Sequence, residues 1–165
     1  MVAAVSRSIT ISAPQSVIFA ILADPRQHVL IDGSGTVKGT RSAPARLALG
    51  TRFRMRMQLG IAYRVRNTVI EFEEGRRIAW RHRGRHVWRY ELEPQTGNAE
   101  GADGTGGAGA GNAPGGKPKT LVTETFDPEP ALARWFIALA GFPARNTIGI
   151  EKTLERLKRA AESRA

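Results

Sequence analysis

Cysteine is absent from the 165 residues. That excludes a disulfide scaffold, a thiolate metal site and a cysteine nucleophile. Long apolar runs are missing as well. The longest, 17–23 and 135–141, fall far short of the roughly 20 residues that a membrane-spanning helix needs. The first 14 residues contain no apolar core of secretory type and read as strand from the start. Together these absences give the expectation of a cytoplasmic protein. Acidic residues are scarce beside basic ones, 15 against 25, for a net charge of +10. Lysine is scarce among the basic residues, since 20 of the 25 are arginine. A chain of this length fits one domain, expected to span 1–165.

The positive charge is concentrated. Between Arg46 and Arg89 stand 12 arginines and only three acids, Glu71, Glu73 and Glu74. The rest of the chain is nearly neutral. Such an excess predicts an electropositive surface with possible affinity for nucleic acid or an anionic surface.

Alternation and turn residues divide the chain into elements. Residues 5–12 alternate with β-branched side chains and predict a strand. Ser12-Ala-Pro14 predicts a helix start, with Ser12 as cap and Pro14 in the first turn. Val17, Ile18, Ile21 and Leu22 supply its apolar stripe. A second short helix follows Asp24-Pro25 and ends near Ile31, before Gly33-Ser-Gly35. Five segments with strand character follow at 36–40, 51–59, 63–73, 77–83 and 85–93, separated by glycine-bearing turns. Residues 97–116 hold nine glycines and five alanines, too little apolar surface to offset ordering, and predict a flexible loop. The flanks are strand-like, so this is no phosphate-binding loop. A last strand is expected at 120–126. A long helix is expected over 130–161, interrupted near Gly141-Phe-Pro143, with Trp135, Leu139, Ile150, Leu154 and Leu157 on one face.

Strand, two short helices, six strands and a long C-terminal helix resemble the helix-grip fold of the START/Bet v1-like (SRPBCC) superfamily. Within it the chain is similar to the bacterial polyketide cyclase/dehydrase and lipid-transport group. The resemblance rests on Ile9-Thr-Ile-Ser-Ala-Pro14, Val69-Ile-Glu-Phe-Glu-Glu-Gly-Arg-Arg-Ile-Ala-Trp80, Trp88-Arg-Tyr-Glu-Leu-Glu-Pro94, Thr120-Leu-Val-Thr-Glu-Thr-Phe126, Asn146 and Leu154-Glu-Arg-Leu-Lys158. It covers nearly everything except 97–116. It implies an α+β fold in which a curved antiparallel sheet wraps around the C-terminal helix. It also implies a cavity between them for a lipid or a polycyclic, polyketide-like molecule. An aromatase/cyclase-type enzyme on the same fold is the alternative. The superfamily shares no catalytic motif.

The phase of the strands names candidate residues. With Phe53, Met55 and Met57 inward, Tyr63, Val65, Asn67, Ile78, Trp80, His82, Trp88, Tyr90 and Leu92 also face in. Nearly every sheet arginine then faces out, and one phase serves four strands. The candidate ligand-binding residues are Phe53, Met55, Met57, Tyr63, Val65, Trp80, Trp88, Tyr90 and Trp135. Aromatic and methionine side chains at these positions equally suit an ordinary core. Val69-Ile-Glu-Phe72 breaks the phase. Continued alternation puts Glu71 inside, whereas a β-bulge near Asn67-Thr68 resets it. Catalytic residues are not identified by any motif. His82, Glu71 and Asn67 are the candidates for a polar end of the cavity, with histidine suited to acid–base work near neutrality. Gly-x-Ser-x-Gly is absent. His28, His82 and His86 have no metal-site spacing, so no metal and no cofactor is expected. The outward arginines from Arg52 to Arg89 serve solubility and discourage edge pairing. Phosphate contact with a polyanion is the alternative, although aromatics for base stacking lie on the opposite face.

Overall fold

The structure, a computed structural model, describes residues 4–83, 86–95, 117–128 and 142–165. Its centre is one curved seven-stranded antiparallel sheet in the order β1-β7-β6-β5-β4-β3-β2. The strands are β1 Val5–Ile11, β2 Val37–Ser42, β3 Arg52–Leu59, β4 Ile61–Glu73, β5 Arg77–His82, β6 Val87–Gln95 and β7 Lys119–Asp127. Two short helices, α1 Gln15–Ala23 and α2 His28–Ile31, lie between β1 and β2, and the helix α3 Phe142–Glu162 ends the chain. This is the helix-grip α+β arrangement expected from the element order.

Helix α3 packs on the inner face of the sheet, over β1 and β7. Its inward residues Ile150, Leu154, Leu157 and Ala161 are at most 2% exposed. Polar ties fix its position. Arg7 of β1 donates to Glu151 at 3.1 Å, and the Ser12 amide donates to Glu162 at 2.9 Å. At Gly33 a Cβ would fall 2.3 Å from the Gly149 carbonyl oxygen, so only glycine lets the loop after α2 lie against α3. Thr153 Oγ1 accepts from the Gly33 amide there and donates to the Gly149 carbonyl.

Several local expectations are corrected. Ser12 does not cap α1: the N-cap is Pro14, whose carbonyl accepts from the amides of Val17 and Ile18. β4 starts at Ile61, two residues earlier than its alternation shows, because Gly60 (φ 71°) turns tightly enough for Leu59 and Ile61 to pair. The phase break in β4 is a bulge, as considered, but lies between Val69 and Glu71 rather than at Asn67-Thr68. Val69 opposes Trp80 and Glu71 opposes Ala79, leaving Ile70 as the extra residue. Phe72 therefore turns inward, edge-on to Phe19 of α1 at 5.4 Å, and Glu71 turns outward. The segment 97–116 and the expected helical positions Trp135 and Leu139 lie outside the described residues.

Candidate functional site

The inner face is built from cross-strand rows. Trp80 of β5 stands between Val69 and Trp88, and Trp88 stands opposite Phe126. One row further on, Ile78, Tyr90 and Glu124 align. Opposed residues in an antiparallel ladder share a face, so these side chains meet. Trp80 and Tyr90 lie 5.5 Å apart, Trp80 and Phe53 6.0 Å, and Trp88 and Phe126 4.8 Å between ring centres. His28 of α2 closes the cluster from above, stacked on Trp80 at 4.9 Å and edge-on to Phe53 at 5.8 Å. Its Nε2 lies 2.8 Å from the Leu22 carbonyl and, in the donor tautomer, gives it a hydrogen bond. Burial holds the ring below the ordinary histidine range, so it is neutral at neutral pH.

Within this apolar wall stands a carboxyl group. Glu124 is 2% exposed. The Tyr90 hydroxyl donates to its Oε1 at 2.8 Å, and its Oε2 has no partner among the described residues. Burial pushes its pKa up to about 8, and the negative charge of Asp32 adds to the rise, while the Tyr90 hydrogen bond opposes it. At neutral pH the group is therefore largely the neutral acid. Tyr90 is raised well above its usual range, first by burial and then by Glu124. Asn67, also 2% exposed, has no partner for Oδ1 among the described residues. Buried polar atoms without partners are rare, because each forfeits its hydration without replacement.

The sequence candidates divide into groups. Phe53, Met55, Trp80 and Tyr90 are buried on the inner face, and Met57, Val65 and Trp88 are half-buried there. Tyr63 shares their phase but is 42% exposed, because the end of the β3–β4 hairpin leaves the core. Trp135 lies outside the described residues. Of the three polar candidates, Asn67 is inside and Glu71 is not. Both Glu71 oxygens accept from Arg89, at 2.9 and 2.6 Å, on the outer face. That guanidinium holds the Glu71 carboxyl below its ordinary pKa. His82 is half-buried and pairs with His86, ring centres 4.4 Å apart. Burial, reinforced by His86, takes His82 down to about 3, and burial takes His86 to about 4. Neither ring is poised for acid–base work at neutrality, contrary to the expectation for His82.

Glu124 and His28 were missed as site residues. The signal for Glu124 was present: Thr120, Val122, Glu124 and Phe126 alternate in phase, so a carboxyl shares a face with an aliphatic and an aromatic residue. His28 carries no comparable signal. A separate groove of about 760 Å³ between β1 and α3, lined by Arg7, Ile9, Glu151 and Arg156 among others, shares no residue with this site.

The inner face thus combines an apolar, aromatic wall with two buried polar side chains, Glu124 and Asn67. Among curated proteins, the uncharacterized protein Rv0088 of Mycobacterium tuberculosis is 37% identical over 158 residues. That match takes in 93% of this chain, which spans only 62% of the relative's length. Among solved structures, protein NE0264 from Nitrosomonas europaea matches with a TM-score of 0.63 at 13% identity, over 98% of this chain and 95% of that one. The AHSA1-like protein from Aeromonas hydrophila matches with a TM-score of 0.58 at 19% identity, over 97% and 94%. At those identities the structural likeness concerns the fold alone. The profile described as polyketide cyclase/dehydrase and lipid transport matches residues 2–162, and the chain belongs to that family.

Proposed function

We propose that this chain binds one small, largely apolar molecule between the inner face of the sheet and α3. The ligand's polar group docks at Glu124, and Asn67, three strands away on the same face, offers a separate polar contact. The observation that carries this reading is that Oε2 of Glu124, buried beside Tyr90, has no partner among the described residues. A neutral carboxyl in such a setting donates a hydrogen bond to a ligand carbonyl, and Asn67 Oδ1 accepts one from a hydroxyl. Trp80, Trp88, Phe53 and Met57 supply the apolar contact. A site of few polar points in an apolar wall selects amphipathic ring systems or lipids over charged metabolites.

N-phenyl-1-naphthylamine, neutral and apolar with a single N–H, tests the site by fluorescence titration. One molecule should bind per chain. Trp88→Ala should weaken it about tenfold, or about 1.4 kcal/mol, by removing aromatic contact. Met57→Trp should weaken it comparably by filling volume. Unchanged affinity in both variants would sink the proposal. Native mass spectrometry of protein purified from its own host would then name the ligand by its added mass.

A second reading, a cyclase or dehydratase, is favoured by one observation: Glu124 is a buried carboxyl that meets only the Tyr90 hydroxyl among the described residues, and burial pushes its pKa up to about 8. An acid with a pKa near the working pH is suited to give a proton to a carbonyl or a departing hydroxyl. Glu124→Gln separates the readings. It should retain ligand in either case, and should abolish conversion of the bound ligand only if the protein is an enzyme.

A further inference from the structure

The outer face of β3 and β4 carries an arrangement that the ligand site does not explain. Arg54 stands directly opposite Arg66, and Arg56 directly opposite Arg64. All four are exposed and make no ion pair among the described residues. The Arg83 amide bonds to the Arg66 carbonyl, so a further arginine continues the row. Like charges placed directly opposite destabilise a sheet. Arg52, Arg54, Arg66 and Ser42 also line a depression of about 260 Å³.

The same hairpin ends in apolar side chains. Ile61 is 82% exposed, Leu59 49% and Tyr63 42%, around the Gly60 turn. The loop following α2 is tied to this hairpin by the Gln58 amide, which donates to the Thr36 carbonyl. At about 3.4 Å of rise per residue, the Arg56–Arg64 pair sits about 10 Å behind the tip, and the Arg54–Arg66 pair about 17 Å. Interfacial elements bury their apolar groups about 5–10 Å into the boundary of headgroups and chains. A tip entering to that depth brings the first arginine pair to the height of the lipid phosphates.

We propose that the β3–β4 hairpin docks this protein on an anionic lipid surface, with Leu59 and Ile61 entering the interface, Arg56 and Arg64 against the phosphates, and Arg54 and Arg66 behind them, adding to the attraction toward the charged surface. A nucleic acid fits less well. It offers nothing to the apolar tip, and the aromatics available for stacking on bases face away from the arginines. The inference stands independently of the ligand site, and both substituted regions lie outside that site.

Sedimentation with vesicles tests it, comparing phosphatidylcholine alone with a mixture containing about one part in three of phosphatidylglycerol. The protein should bind the anionic vesicles, and more weakly as salt rises. Ile61→Asp should lower that binding about tenfold at low salt, and replacing the four arginines by glutamine should lower it about a hundredfold. All five side chains are exposed, so neither variant should lower the melting temperature. No binding to anionic vesicles would overturn the proposal. So would binding indifferent to Ile61→Asp, or a single-stranded RNA bound more tightly than the vesicles with no dependence on Ile61. Those last results would mark a plain polyanion surface.

Discussion

Glu71 and Glu124 stand on opposite faces of the same sheet, and their environments drive them in opposite directions. Glu71, on the outer face, meets a bidentate arginine and is held ionised. Glu124, on the inner face, meets one tyrosine hydroxyl and apolar rings, and burial keeps it protonated near neutrality. The contrast runs through both faces. Outside, charge is tolerated wherever water or a counter-ion reaches it, so Arg77–Glu91 and Arg89–Glu71 form pairs while the hairpin arginines remain solvated. Inside, a polar group is kept only at a free-energy cost. A carboxyl retained there therefore points to use, and one retained outside points only to pairing.

The largest expected effect comes from neighbours on β3. Phe53 is 1% exposed and packed against His28 and Trp80, so Phe53→Ala should cost about 3–5 kcal/mol. Arg54 is the next residue and faces out, and Arg54→Ala should stay within about 0.5 kcal/mol. Urea unfolding of both variants measures this. Similar losses at the two positions would break the assignment of faces.

The second effect is in pH. Glu124 has a folded pKa of about 8 against an ordinary 4.5. Between those values the folded state holds a proton that the unfolded chain releases, so stability falls as pH rises, by at most about 1.4 kcal/mol per unit. Above about pH 8 this loss is complete. His82 and His86 act in the opposite sense. With folded pKa values of about 3 and about 4 against 6.5, they remove stability as pH drops below about 6.5. Maximum stability should therefore lie near pH 6, to within about a unit. Glu124→Gln should abolish the decline between pH 6.5 and 8 and leave the acid limb in place. A parallel profile in the variant would show that Glu124 is not buried as an acid.

The faces were legible from the sequence because side chains alternate with period two, and arginine and aromatic residues kept one phase through β3, β5 and β6. The bulge was legible only as a break. Val69, Ile70 and Phe72 are all apolar, so composition could not choose the extra residue, and the choice fell to the backbone pairing with Ala79 and Trp80. Tyr63 shows that phase is not burial, since an inward phase counts only where something covers that face. Glu124 shows the converse. Its phase with Val122 and Phe126 puts it on the inner face, but phase alone does not bury a carboxyl. Its burial is decided by β1 and β6 on either side of β7 and by the cover over that face, all of which are remote in sequence.

A smaller effect tests pairing on the outer face. Ala79 lies in register between Glu71 and Arg89 and is fully buried, because the ion pair reaches across it from β4 to β6. Both partners are under a third exposed, so a double-mutant cycle of Glu71→Gln and Arg89→Gln should give a coupling near the upper end of the roughly 0.2–1 kcal/mol typical of surface pairs. Because the Glu71 pKa is lowered on folding, this stabilisation is present above the ordinary carboxylate pKa and is lost as pH falls through the folded value.

The smallest effect has the opposite sign. Arg54 and Arg66 oppose each other without an acid between them, so Arg66→Gln should raise stability by a few tenths of a kcal/mol. The gain should be largest at low ionic strength and shrink as salt screens the parent's repulsion. Adding Arg54→Gln to Arg66→Gln should then gain little more, because the second arginine no longer faces a like charge across the ladder. Its repulsion by Arg52 and Arg56 along the strand is weaker, since alternate residues on one strand face lie about 7 Å apart. Melting temperatures of the two single variants and the double variant, at low and high salt, measure this. If each single substitution destabilises instead, the guanidinium groups are held by something on the outer face other than water. The paired half of that face, where Arg89 meets Glu71, and the unpaired half would then differ in the identity of the counter-ion and not in its presence.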